Sequence, residues 1–131
     1  MQNARIKLEL PYPPSVNHYW KRARGKVFLS QAARDYRDEV CVTWLQYRQL
    51  FHVRGFGNRK VELAIRIYPP DNRRRDIDNI LKAVFDGLEV AGVIKDDSQV
   101  KRLSVESCEP CDGGCVVVEV AAWKARSNSD K

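Results

Sequence analysis

The chain has 131 residues, 44% of them hydrophobic and 31% charged. That is one domain's worth of chain with a globular composition, which argues against two domains and against an intrinsically disordered protein. A net charge of +6 favours polyanionic partners, nucleic acid foremost. No segment approaches the ~20 apolar residues of a membrane span, and the N-terminus MQNARIKLEL lacks a secretory apolar run. A cytosolic location is expected, where cysteines stay reduced.

In chain order, Arg5 to Leu10 (RIKLEL) alternates polar and apolar residues and reads as a half-buried strand, ended by Pro11, Pro13 and Pro14. The stretch SVNHYWKRARGKVFLS mixes aromatics with cations and has no clean period, so a loop or short hairpin is expected. Ser30 is placed to cap a helix running from Gln31 to about Leu50, with Ala33, Tyr36, Val40, Trp44 and Tyr47 on its apolar face. After the glycine loop at Gly55 and Gly57, Val61 to Tyr68 (VELAIRIY) is a strand stopped by Pro69 and Pro70.

A second helix is expected from Ile77 or Asp78 to about Val90, burying Ile77, Leu81, Val84 and Leu88, with Gly92 at its C-terminal side. Val100 to Cys108 and Cys115 to Ala121 read as a closing pair of strands around a Gly113-Gly114 turn. The order β-α-β-α-β-β makes an α+β fold, a small single domain over residues 1–126 with a sheet and two main helices. The tail 127–131 is expected to be disordered. Mixed and antiparallel sheets both fit this order.

The chemistry is concentrated in RRRDIDNILKAVFDGLEVAGVIKDDSQV, residues 73–100. Asp76 and Asp78 sit two apart at the start of the second helix; Asp96 and Asp97 follow it. Clustered carboxylates repel one another until a divalent cation joins them, and an all-oxygen donor set suits Mg²⁺ or Mn²⁺ better than zinc. Helix capping and turn chemistry would equally account for either acidic pair alone. Arg73, Arg74 and Arg75 alongside them tip the reading towards phosphate and metal held together, the requirement of an enzyme that cuts nucleic acid.

Lys82 lies four residues after Asp78 on one helical face, either as a surface ion pair worth roughly 0.3–0.5 kcal/mol or as a cation that contacts phosphate near the metal. Asn79 could orient a carboxylate or a metal-bound water, and Asp86 could support Lys82. Lys21, Arg22, Arg24 and Lys26 form a second basic patch interleaved with Tyr19, Trp20 and Phe28, aromatics that would stack on bases or pack in the core. Asn17, Tyr19 and Trp20 join the two basic patches as expected DNA contacts.

These residues carry a family resemblance. The elements PPSVNHYW (Pro13 to Trp20), YRDEV (Tyr36 to Val40), and D-x-D-N-x-x-K, F-D-x-L and D-D-x-x-V at this spacing resemble the RusA-type Holliday junction resolvases of bacteria and their phages or prophages. The resemblance covers most of the chain. It implies a homodimeric, Mg²⁺-dependent endonuclease, with Mn²⁺ able to substitute, that nicks four-way DNA junctions at symmetric positions during recombination and repair. By motif it implies that Asp76, Asp78 and Asp97 are the metal-binding catalytic acids, with Asp96 a further metal candidate and Lys82 the functional lysine. It implies branched DNA as partner, no membrane, no small-molecule cofactor, and a cytoplasmic, nucleoid-associated location. A non-catalytic branched-DNA binding protein, or a nuclease acting on flaps or forks, is the alternative.

Cys108, Cys111 and Cys115 (C-x₂-C-x₃-C) fall outside that pattern. A zinc site would need a fourth ligand such as Cys41, His18 or His52. Reduced thiols near a turn are expected there instead.

Overall fold

The computed structural model describes residues 5–15 and 19–125. Asn17, His18 and the tail 127–131 lie outside the described residues. Strand β1 (Ile6–Pro11) leads to a two-stranded hairpin, β2 (Trp20–Ala23) and β3 (Lys26–Leu29). Helix α1 (Gln31–Phe51), strand β4 (Val61–Tyr68) and helix α2 (Ile77–Ala91) follow. A 3₁₀ turn (Asp97–Gln99) then opens β5 (Val100–Ser107), and β6 (Cys115–Ala122) closes the order.

The main sheet runs β1-β6-β4-β5. β6 is antiparallel to both β1 and β4, whereas β4 and β5 are parallel. The expected α+β architecture is present, and the sheet is mixed. The hairpin reading of the last two strands is corrected: β5 and β6 do not pair but flank β4 on opposite sides. A strand that returns through a crossover helix can lie parallel to its predecessor. Here α2 carries the chain back, so β5 adds parallel to β4 and leaves β4's other edge to β6.

The alternation of β1, β4 and β6 dictates a single buried face. Ile6, Leu8 and Leu10 of β1, Val116, Val118 and Val120 of β6, and Val61, Leu63, Ile65 and Ile67 of β4 are all buried. Their registers match, with Leu8 opposite Val118 and Val118 opposite Ile65. Arg66, Glu119 and Arg5 occupy the wet face as ion pairs.

Ser30 caps α1, its hydroxyl accepting from Ala33 N–H at 3.1 Å. Ala33, Tyr36, Val40 and Trp44 are buried as the spacing predicts, and Tyr47 is half-buried against them. On α2 the buried stripe is Ala83, Val84, Gly87 and Leu88; Ile77 is 42% exposed, contrary to expectation, because the first turn projects beyond the core. The helices meet where Gly87 faces Val40 closely enough that a Cβ on residue 87 would lie 3.1 Å from a Val40 methyl. That contact brings α1 against α2 and fixes the wall of the site described next. Among the described residues no helix is long and apolar enough to cross a membrane.

Candidate active site

One stripe of α2, at spacings of three and four residues, presents Asn79, Lys82, Asp86 and Glu89 to a cleft of about 290 Å³. Asp97, arriving from beyond the helix, lines the same cleft, as do Pro14, Tyr19, Trp20 and Phe85. A second hollow of about 400 Å³ adjoins it and is lined by Tyr12, Pro13, Arg74, Arg75 and Asp76. Asn79 and Pro14 line both, so the two hollows adjoin as a groove along α2, with Asp76 on one hollow and Asp97 on the other. Asp78 lies on the exposed first turn of α2, one helical turn before Lys82.

Each acid is held differently. Asp76 stands at the N-cap of α2, yet its side chain makes no capping hydrogen bond. A carboxylate in that position ordinarily satisfies a free helix N–H; this one does not. Asp96 behaves oppositely. Its carboxylate accepts from Ser98 N–H at 2.9 Å, and the Ser98 side chain first, then this N–H, hold its pKa below the ordinary value. Of the adjacent pair, Asp97 lines the cleft and Asp96 does not.

Asp97, Asp96 and Glu89 each offer an oxygen within 4.8 Å of the others. Among the described residues this is the only group of three or more His, Cys, Asp or Glu side chains that meets so closely; Asp76 and Asp78 are not drawn into it, and neither are the three clustered cysteines. Burial first, then the negative charge of Asp97, pushes the Glu89 carboxyl up from its ordinary value. A local excess of negative charge is what a divalent cation neutralises, and the donors are all hard oxygens. The residues present thus fit a Mg²⁺-like ion. Burial, then the neighbouring Cys111, pushes the Cys115 thiol up to about 11.

The acidic turn is fixed by Gln99, a buried residue that sequence reading passes over. Its carbonyl oxygen accepts from Lys95 N–H at 2.7 Å and Asp96 N–H at 2.9 Å. Its amide donates to the carbonyls of Gly57 and Arg59 on the α1–β4 loop. Glu89 was also missed, although its spacing from Lys82 and Asp86 places it on the same helical stripe.

Asp86 does not support Lys82 through a hydrogen bond among the described residues. It is gripped by Arg37 of α1, with Nε at 2.7 Å and a terminal nitrogen at 2.8 Å, and it accepts the Tyr19 hydroxyl. Tyr19 is only 2% exposed, so its expected stacking on DNA is corrected to a docking role between the hairpin and α2. Burial, then Asp86, raises its phenol pKa, which keeps the hydroxyl a donor. Trp20 packs edge-on against Tyr19, at 5.4 Å between centroids, and remains 43% exposed at the cleft.

The cations also divide. Lys21, Arg22, Arg24 and Lys26 are all exposed on the β2–β3 hairpin, whose two-residue turn, Arg24-Gly25, has both φ angles positive. Arg75 is spent internally: it pairs with Asp71 at 2.8 Å and lies over the Tyr12 ring. Arg73 also pairs with Asp71, at 3.2 Å. Arg74 is exposed and makes no ion pair among the described residues.

The sequence profile of the family Endodeoxyribonuclease RusA matches residues 11–123. The chain belongs to the RusA family. Its relatives include a crossover junction endodeoxyribonuclease RusA of Enterobacteria phage HK97, 33% identical over 111 residues, which are 85% of this chain and 89% of that protein. The protein of the same name from Shigella sonnei is 37% identical over 107 residues, 82% of this chain and 86% of its own length. That of Escherichia coli K12 is 36% identical over the same extent. The RusA match spans every element of the fold from the end of β1 to β6, and so the whole groove along α2.

Proposed function

We propose that this protein is a divalent-metal-dependent endodeoxyribonuclease that resolves four-way DNA junctions by paired, symmetric nicking. Asp76, Asp78 and Asp97 are its metal-binding catalytic acids and Mg²⁺ its natural ion, with Mn²⁺ able to substitute. The observation that carries this reading is the groove itself. Asn79 and Lys82 of α2 share one hollow with Asp97 from the turn beyond it, and Asn79 shares the adjoining hollow with Asp76 at the N-cap, whose side chain makes no capping hydrogen bond. Family membership supports the substrate class, since the relatives are named for crossover junctions.

A bound divalent ion supplies polarisation of the scissile phosphate and an acidified water. The protein's own residues do the rest. Lys82, exposed along the cleft, brings a positive charge to the negative charge that develops on the phosphoryl oxygens. Asn79, shared by both hollows, can hydrogen-bond a carboxylate or a water between them. Arg74 offers an exposed guanidinium fork to phosphate. Arg73 and Arg75 keep the preceding loop in shape through Asp71. The hairpin cations follow the backbone, and Trp20 offers an exposed ring face to a base at the mouth of the cleft. Glu89 belongs with Asp97 as an auxiliary oxygen donor.

A four-way junction has two-fold symmetry and two equivalent cleavage points, so a homodimer with one groove per subunit suits it. Work on such a substrate would place the protein at the nucleoid. The test is product mapping on a four-way junction, a flap, a fork and a linear duplex in parallel, with and without Mg²⁺. Paired nicks at symmetric positions, on the junction alone and only with metal, are expected. Preferred cutting of the flap or fork would reassign the substrate. Binding without cutting in any metal would make the protein a branched-DNA binding module.

A further inference from the structure

The end of the sheet that carries the acidic turn also carries cations that neither the groove nor the hairpin uses. Residues 52–60, HVRGFGNRK, contain Arg54, Arg59 and Lys60 and no carboxylate. All three side chains are exposed. Val61 pairs with both Val100 and Ala122, which brings Lys101 and Lys124 to the same end, and Lys95 stands exposed on the acidic turn. Glu62 makes no ion pair with Arg54, Lys60, Lys95, Lys101 or Lys124 among the described residues.

A solvating face normally mixes both signs on mobile side chains. This loop is neither mixed nor loose. Phe56 is buried in the core, and its N–H donates to the Val93 carbonyl at 3.1 Å. Gly55 abuts the end of α2 so closely that a Cβ there would lie 2.4 Å from the Gly92 carbonyl oxygen. The Lys60 carbonyl accepts from Trp123 N–H at 3.0 Å. Arg59 lies over the Phe56 ring at 5.0 Å, and its Nε donates to the Phe56 carbonyl. Gln99 joins the loop directly to the turn that bears Asp97, with its amide on Gly57 and Arg59 and its carbonyl on Lys95 and Asp96. Cations on a backbone ordered in this way bind an anion without first paying to order the loop.

We infer that the loop 52–60 is a second DNA-contact surface that binds the phosphate backbone of the arm leaving the cleavage site, held by Gln99 at a fixed offset from Asp97. Its ligand is the phosphodiester chain, read by charge and not by base. The inference rests on the nuclease reading above and extends it to a segment outside the groove.

The experiment compares the intact protein with Arg54→Ala/Lys60→Ala and with the polar Arg54→Gln/Lys60→Gln, leaving Arg59 in place because it packs on Phe56. Junction binding is followed by fluorescence anisotropy over a salt series, with Ca²⁺ replacing Mg²⁺, and Arg74→Ala serves as reference. Each lost phosphate contact lowers the slope of log K against log salt by about 0.9. Both double variants are expected to lose roughly 1–2 from the slope and about ten-fold in affinity at low salt, with no more than the small melting shift that losing the contact of Lys60 with the Trp123 ring, at 5.9 Å, brings. A slope equal to the parent's in both, while Arg74→Ala lowers it, overturns the inference and leaves the nuclease reading standing. A parent protein that does not bind the junction at all overturns both.

Discussion

The guanidinium of Arg37 grips the carboxylate of Asp86 through two hydrogen bonds, 2.7 and 2.8 Å, and so ties α1 to the wall of the cleft on α2. Both side chains are less than a third exposed, and the Tyr19 hydroxyl completes the carboxylate's partners. Breaking one side of such a pair leaves the other charge poorly solvated. Asp86→Ala should therefore destabilise the fold by roughly 1–3 kcal/mol, less than a fully buried pair would. Thermal denaturation of Asp86→Ala, Arg37→Ala and the double variant checks this. The double loss should be clearly smaller than the sum of the single losses.

Glu89 gives a pH signature. Its carboxyl pKa is raised, by burial first and then by Asp97. A carboxyl that holds its proton more tightly when folded contributes stability that is fully present below the unfolded pKa and is lost as pH rises through the folded one. In metal-free buffer the parent protein should lose stability across the range just above the ordinary glutamate value. Glu89→Gln should escape that loss and melt roughly 1–3 °C higher at neutral pH. Adding a divalent ion should narrow the gap. Superimposed melting curves for the two proteins at every pH would argue against a charge conflict at this acid.

Gln99 is predicted to set the position of Asp97 without touching substrate. Gln99→Met keeps the volume but strands two N–H groups and two carbonyls, at a cost of roughly 2–4 kcal/mol. The ion concentration for half-maximal cleavage should rise as the turn loosens. Gln99→Glu restores the acceptor for Lys95 and Asp96 but not the donor for Gly57 and Arg59, so it should fall between the two. A metal titration that does not shift in either variant would reduce Gln99 to a purely structural residue.

Trp20 and Tyr19 are adjacent, and their substitutions should separate. Trp20→Ala removes an exposed ring and should weaken junction binding by about 1–3 kcal/mol with little change in melting temperature. Tyr19→Phe removes only the hydroxyl held by Asp86 and should cost about 1 kcal/mol of stability. Anisotropy and thermal melts on the same two variants decide it.

Local patterns were legible in the sequence. The three- and four-residue spacing of Ala33, Tyr36, Val40 and Trp44 marks the buried face of α1, Ser30 marks its start, and strict alternation marks β4. Partner choice between strands was not. β5 and β6 flank a glycine turn as a hairpin would, yet both select β4, because strand pairing is decided by the crossover helix and by burial far along the chain. The site divides in the same way. Residue types and spacing on α2 point to Asp76, Asp78, Asn79 and Lys82. Gln99 shows no signal of its own, since its partners Gly57 and Arg59 lie about forty residues away and are backbone atoms. Tyr19 reads as an exposed aromatic among cations until Asp86 is seen to hold its hydroxyl.

The most direct measurement is metal-dependent nicking of a four-way junction by Asp76→Asn, Asp78→Asn and Asp97→Asn beside Asp96→Asn. With Asp96 engaged by Ser98 and Asp76 making no capping hydrogen bond, the first three variants should lose cleavage by at least about a hundred-fold while still binding the junction. Asp96→Asn should keep most of its activity. Wild-type cutting by the three variants, or loss in Asp96→Asn alone, would contradict the claim that acids on both sides of α2 form one metal site on a DNA strand.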